Sequence, residues 1–189
     1  IAEEFQQKKF EGTFAAFTLF VDVSGFTPMT ASLMREGSEG AEVLVQILDS
    51  IFEPMVDAVY RHGGFISTFP GDAFSAMFPS ISALPAVLAT AEEILSIFAR
   101  IGERSTKFGV FNLSVRTGIS FGRVDWGIIG TGPRAFYFRG LALEGAASAK
   151  RNAKPGDIIL DAAVVALSRQ GEIEYVAAEA GFFKFIALH

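Results

Sequence analysis

The chain has 189 residues, half of them hydrophobic and a fifth charged, enough for a domain burying about 70% of the surface its unfolded chain exposes. A net charge of −5 with no run of like charges excludes a nucleic-acid surface, which needs clustered Lys and Arg. With no Cys, disulfides and thiolate metal sites are excluded, which fits a reducing compartment and a cytoplasmic location.

Twenty phenylalanines against one Trp and three Tyr read as a Phe-packed core, with an apolar patch against a partner as the other use for them. No apolar run reaches the roughly 18 residues of a bilayer span, so no membrane span is expected. The first ten residues, IAEEFQQKKF, lack the apolar stretch of a signal peptide. A chain beginning at Ile rather than Met is expected to be part of a longer protein. Residues 1–13 read as a lead-in and 14–189 as a single domain.

In chain order, Phe14–Val23 is continuously apolar and suits a buried strand. It ends in Asp-Val-Ser-Gly, after which residues 26–36 read as a short helix. Residues 39–61 read as a longer one, with Val43, Ile47, Ile51, Met55 and Val59 on one face and a glycine stop at His62-Gly63-Gly64. Phe65–Phe69 and Ala73–Phe78, around Pro70-Gly71-Asp72, read as a hairpin. A helix is expected from about Ser82 to Glu103. Leu113–Ile119 and Arg123–Ile129 then read as a second hairpin around Ser120-Phe121-Gly122. A small-residue helix over 141–152, a turn at Lys154-Pro155-Gly156, a strand at Asp157–Leu160 and a closing strand pair complete the chain. This order predicts an α+β fold: a mostly antiparallel, ferredoxin-like sheet with helices on one face.

Two aspartates stand out by position. Asp22 lies at the mouth of the most apolar strand and Asp72 at the hairpin tip. Each has an ordinary reading, a helix cap for Asp22 and a turn for Asp72. Should the strand pair beside the hairpin, both acids emerge at one end of the sheet. Paired carboxylates repel unless a proton or cation sits between them. Mg²⁺ takes such acids with backbone carbonyls and substrate phosphates, and two bridged ions clamp an in-line displacement at phosphorus. The helix start at Ser24-Gly25-Phe26-Thr27 could hold a phosphate by its backbone N–H groups.

FVDVSGFTPMT (20–30) resembles the first metal-binding motif of class III adenylyl and guanylyl cyclases, and GGFISTFPGDAFSAMFP (63–79) the second. VRTGISFGRVDWGIIG (115–130) and RGLALEGAASAKRNAKPGDIILDAAV (139–164) resemble the segments that follow in that family. Within it, FVDVSGFT, the 39–64 helix and the FPGDAF turn are most like the first cyclase domain of soluble, bicarbonate-responsive adenylyl cyclases. The resemblance implies the class III cyclase fold and two divalent cations, Mg²⁺ or Mn²⁺, on Asp22, the Val23 carbonyl and Asp72. It places the triphosphate over residues 24–27, next to the Gly71 turn. It implies a homodimer or heterodimer of cyclase domains, acting on ATP or GTP, with cAMP favoured over cGMP as product.

The same resemblance exposes departures. The purine-reading Lys position holds Thr68 and the base-reading Asp or Thr position holds Tyr137. The ribose-orienting Asn position holds Glu144 and the phosphate-binding Arg position holds Ser148. Losing one pre-organised transition-state donor costs about 10²–10³ in rate. Arg151, three residues past Ser148, is the candidate replacement cation on that helix face, while Lys150 is expected to point away. Glu144 is expected to need Arg139 or Arg151 as a partner. His62 and His189 read as helix-end and tail residues. Two functions follow: a cyclase domain completed by a complementary domain, or a regulatory pseudo-cyclase that binds nucleotide or a partner without chemistry. A diguanylate cyclase or polymerase palm is disfavoured, because the turn reads Pro-Gly-Asp-Ala and lacks a Gly-Gly-acid-acid-Phe tip.

Overall fold

In a computed structural model, residues 9–130, 132–179 and 181–189 are described. The first eight residues of the expected lead-in lie outside them. Strand β1 (Glu11–Ser24) runs through the apolar segment and is followed by α1 (Phe26–Met34) and α2 (Gly37–Arg61). The hairpin β2 (Phe65–Thr68) and β3 (Ala73–Pro79) leads through a 3₁₀ turn into α3 (Leu84–Ile101). A small hairpin, β4 (Glu103–Thr106) and β5 (Gly109–Asn112), precedes the long strand β6 (Ser114–Ile129). Then come β7 (Ala135–Arg139), α4 (Leu141–Arg151), β8 (Ile158–Leu160), α5 (Ala162–Leu167), β9 (Ile173–Ala177) and β10 (Phe183–Leu188).

The main sheet has the order β2-β3-β1-β6-β8-β10-β9, with β7 paired to β6, and β4-β5 form a separate two-stranded sheet. Every pairing is antiparallel except β6 with β8. The fold is therefore the mixed α+β, mostly antiparallel one that the element order implies.

Alternation along β1 divides its side chains between two cores, because successive residues of a strand point to opposite faces. Phe17, Leu19 and Val21 belong to the larger cluster, with Ile51 and Met55 of α2 and Leu88 and Ile94 of α3. All seven are within 1% of full burial, and each such side chain is worth about 1.5–3 kcal/mol of transfer free energy. Phe17, Phe74 and Phe78 are buried with them, whereas Phe69 and Phe136 are exposed. The 3₁₀ turn and α3 together, Ile81–Ile101, are long and apolar enough to cross a membrane, yet Leu84, Val87, Leu88, Ala91, Ile94 and Phe98 are buried in this cluster.

The other face of the sheet carries a helix as well, which a one-faced arrangement does not include. Of the alanines of α4, Ala142 is buried in a small cluster with Ala16, Met77 and Val124, and Ala149 in another with Ala153 and Ile159; Ala146 is buried as well. The spacing of those alanines suits a helix lying close to a sheet, and glycines in β6 make room for it. A β-carbon on Gly118 would run into the backbone of Ala146 and Lys150, and one on Gly122 would lie 3.3 Å from Ala142 N.

That contact corrects the expected second hairpin. Residues 114–129 form one unbroken strand, paired with β1 residue by residue from Ser114–Ser24 to Gly127–Glu11. Ser120-Phe121-Gly122 is strand interior; its glycine marks close approach of a helix rather than a turn. The expected 82–103 helix ends at Ile101, and the β4-β5 hairpin, β7 and α5 are elements with no counterpart in the sequence reading.

Candidate active site

Strand pairing brings the two aspartates to one end of the sheet. Asp22 is opposite Ala73 in the β1-β3 ladder, so Asp72 follows at once beyond the pair. The Val23 N–H donates to the Asp72 carbonyl at 3.3 Å. Gly71 makes the turn possible, with φ of 71°, in the left-handed region that glycine enters without steric cost. Asp72 is part-buried, and its carboxylate has no hydrogen bond or ion pair among the described residues.

Asp22 does not cap a helix. The residue before α1 is Gly25, with φ of 89°, and no side chain caps that terminus. Pro28 follows in the first turn, so Phe26 and Thr27 carry the terminus's open N–H groups. A β-carbon at Gly25 would lie 2.5 Å from the Asn112 carbonyl oxygen, which ties the helix start to the end of β5. Ser24 pairs with Ser114 beside it.

Two cations that the sequence reading did not assign to the site meet Asp22. Arg116 is opposite Asp22 in the β1-β6 ladder and donates through Nε to Oδ2 at 2.6 Å. Lys150 Nζ stands 3.4 Å from Oδ1 and 5.1 Å from the centroid of the Phe20 ring. The Asp22 side chain is only 14% exposed, so two cationic partners offset a desolvation that a lone carboxylate could not bear.

Lys150 thus faces the sheet, contrary to the outward orientation expected for it. The reason is helical: Lys150 is four residues past Ala146, on the flank of the alanine stripe that packs on Gly118. Arg151 is the exposed one, donating to Ser148 Oγ at 2.7 Å. Glu144 is exposed and pairs with neither Arg139 nor Arg151; Arg139 lies 3.9 Å from Asp125 instead. Glu144, Ser148 and Arg151 make no hydrogen bond or ion pair with Asp22 or Asp72 within this chain. The signals for the missed pair were an Arg in an apolar strand, at 116, and that alanine stripe.

The base-side positions separate in the same way. Thr68 ends β2 and is exposed. Tyr137 pairs with Gly127, which pairs with Glu11, eleven residues along β1 from Asp22. At about 3.3 Å per residue that is roughly 35 Å. Tyr137 lines a groove with Thr13, Arg123, Asp125, Trp126 and Arg139, and Ile129, Phe136 and Leu141 expose apolar side chains at 57%, 60% and 71% around that end of the molecule. His62 meets Glu93 at 2.9 Å and His189 lies 3.7 Å from Glu174, both away from the aspartates.

This fold is that of class III nucleotide cyclase domains. The chain superposes with a TM-score of 0.75 on the guanylyl cyclase Cya2, at 19% identity, covering 96% of each chain. With the guanylate cyclase domain of RhGC from Catenaria anguillulae, solved in complex with GTP, the TM-score is 0.78 at 15% identity, covering 94% of this chain and all of that one. In sequence it is 30% identical over 155 residues, 78% of its length, to adenylate cyclase type 10 of Oryctolagus cuniculus. That stretch spans only 9% of the relative. The model of the adenylate and guanylate cyclase catalytic domain matches residues 12–184, and the chain belongs to that family.

Proposed function

We propose that this domain forms a 3′,5′-cyclic nucleotide and pyrophosphate from a nucleoside triphosphate, ATP in preference to GTP, as the metal-carrying half of a site that a second cyclase domain completes. The carrying observation is the convergence of Asp22 and Asp72 at one sheet end beside a helix start with no side-chain cap. In the reaction the 3′-oxygen bonds to the α-phosphorus, and the bond from that phosphorus to the bridging oxygen of pyrophosphate breaks.

Two carboxylates on adjacent strands are a hard-oxygen donor set, and no cluster of three or more His, Cys, Asp and Glu stands among the described residues. That set fits Mg²⁺ or Mn²⁺ held by Asp22, Asp72 and the Val23 carbonyl, with substrate oxygens filling the remaining positions. Such ions, when bound, lower the pKa of the attacking hydroxyl and neutralise the leaving group. Asp22 is held in place for this by the Arg116 bond. The N–H groups of Phe26 and Thr27, with the turn at Ser24 and Gly25, orient the phosphates.

The placement of the remaining site positions supports completion by a second domain. Glu144, Ser148 and Arg151 bond to neither of this chain's own aspartates, and Tyr137 is at the far end of β6. The exposed apolar side chains at that end support burial against a partner, as a homodimer or a heterodimer. Glu144 and Ser148 cannot supply an amide donor or a guanidinium, so a heterodimer with a domain carrying Asn and Arg is the productive assembly. A regulatory pseudo-cyclase is the second reading, favoured by one observation: both oxygens of Asp22 already face cations.

The test is cyclic nucleotide production from ATP or GTP with Mn²⁺, by the chain alone and with a cyclase domain that carries the Asn and Arg, each beside Asp72→Ala. Activity with the complementary domain, lost in Asp72→Ala, is the expected result. No product in either mixture, with nucleotide binding indifferent to Mn²⁺, would leave the regulatory reading.

A further inference from the structure

We propose that Lys150 is a tethered competitor for the cation position on Asp22, holding divalent-ion affinity low in the nucleotide-free domain. The inference rests on the reading of Asp22 as a metal ligand. Its own basis is the placement of one ammonium group. Lys150 Nζ lies 3.4 Å from Asp22 Oδ1, while Arg116 binds the other oxygen at 2.6 Å. An ion approaching Asp22 must share or displace one of these cations.

The two are not equivalent. Arg116 makes a short charge-assisted hydrogen bond from a strand directly opposite, the stronger kind of contact. Lys150 stands at ion-pair distance without a hydrogen bond, on a four-carbon stem that can swing. Lysine is therefore the partner that yields. It is not a stray surface group, since its side chain is only 17% exposed and its ammonium also faces the Phe20 ring. Gly118 holds it there: the backbone of Lys150 lies so close to that residue that a β-carbon would meet its Cα at 2.9 Å.

With Asp72 included, the sheet end carries two carboxylates and two cations, so its formal charge is already balanced. A divalent ion entering the balanced site meets repulsion from the ammonium and must replace its attraction to Asp22. Screening and desolvation offset most of that Coulomb energy, leaving an effect of about tenfold in affinity.

The experiment titrates the nucleotide-free 189-residue chain with Mn²⁺, counting free ion by its electron paramagnetic resonance signal. Lys150→Gln, Lys150→Arg and Asp22→Asn are compared with the parent, and each is melted to report folding. Lys150→Gln is expected to bind Mn²⁺ about tenfold more tightly, Lys150→Arg to stay near the parent, and Asp22→Asn to lose binding. A role in packing alone would lower the melting temperature of Lys150→Gln without tightening the ion. Equal or weaker affinity in Lys150→Gln, with Asp22→Asn still losing the ion, overturns the competitor and leaves the metal pair standing. No Mn²⁺ binding by the parent or by Lys150→Gln overturns both the competitor and the metal-site reading beneath it.

Discussion

Gly118→Ala tests the contact that organises this end of the sheet. The new β-carbon would enter the backbone of Ala146 and Lys150, with Lys150 Cα at 2.9 Å, where ordinary contacts lie near 3.5–4 Å. No rotamer relieves a clash with backbone, so α4 must lift by about an ångström and part from β6. Overpacking of this kind costs about 1–3 kcal/mol, and the better strand conformation of Ala returns only about 0.5–1 kcal/mol of it. A clash with backbone belongs at the upper end of that range, so the net loss is about 2 kcal/mol, which at a urea slope of about 2 kcal/mol/M moves the unfolding midpoint down by about 1 M. Gly122→Ala is the control. Its nearest neighbour would be Ala142 N at 3.3 Å, which a small adjustment accommodates, so its loss should stay below about 1 kcal/mol. Urea unfolding followed by far-ultraviolet circular dichroism measures both. An unchanged midpoint in Gly118→Ala would refute the claim that this glycine exists to admit the helix.

Asp161 accepts from Val164 N at 3.0 Å as the cap of α5 and also receives the Ser120 hydroxyl; Asp161→Ala should cost about 1–3 kcal/mol in the same urea assay. Glu93 bonds His62 and Arg61, and those contacts, His62 foremost, hold its carboxyl below its ordinary value of 4.5. A depressed folded-state value means the contribution is complete above pH 4.5 and is lost as pH falls through the folded value. Glu93→Gln should therefore cost about 0.2–1 kcal/mol at pH 7, and urea melts near pH 3 should show the difference from the parent shrinking.

How far the sequence could be read depended on whether a feature was local. The apolar run of β1, the periodic face of α2 with Ile47, Ile51 and Met55, and the Pro70-Gly71-Asp72 turn each declare themselves within a few residues. Gly122 misled because glycine serves both turns and close packing, and only the neighbour across the gap tells which. Arg116 and Lys150 stayed hidden for a related reason: one reaches Asp22 through a ladder register spanning 94 residues, the other through the seating of a helix on the far face of the sheet.

Composition, hydrophobic period and turn chemistry by themselves determined the α+β class, most helix limits and the two candidate aspartates, since these follow from propensities of neighbouring residues. Tertiary structure alone decided that residues 114–129 are one strand, that Lys150 rather than Arg151 faces Asp22, and that Tyr137 lies roughly 35 Å from it. Those outcomes depend on which strands pair, in what register, and on which face a helix settles, and long-range packing sets all three.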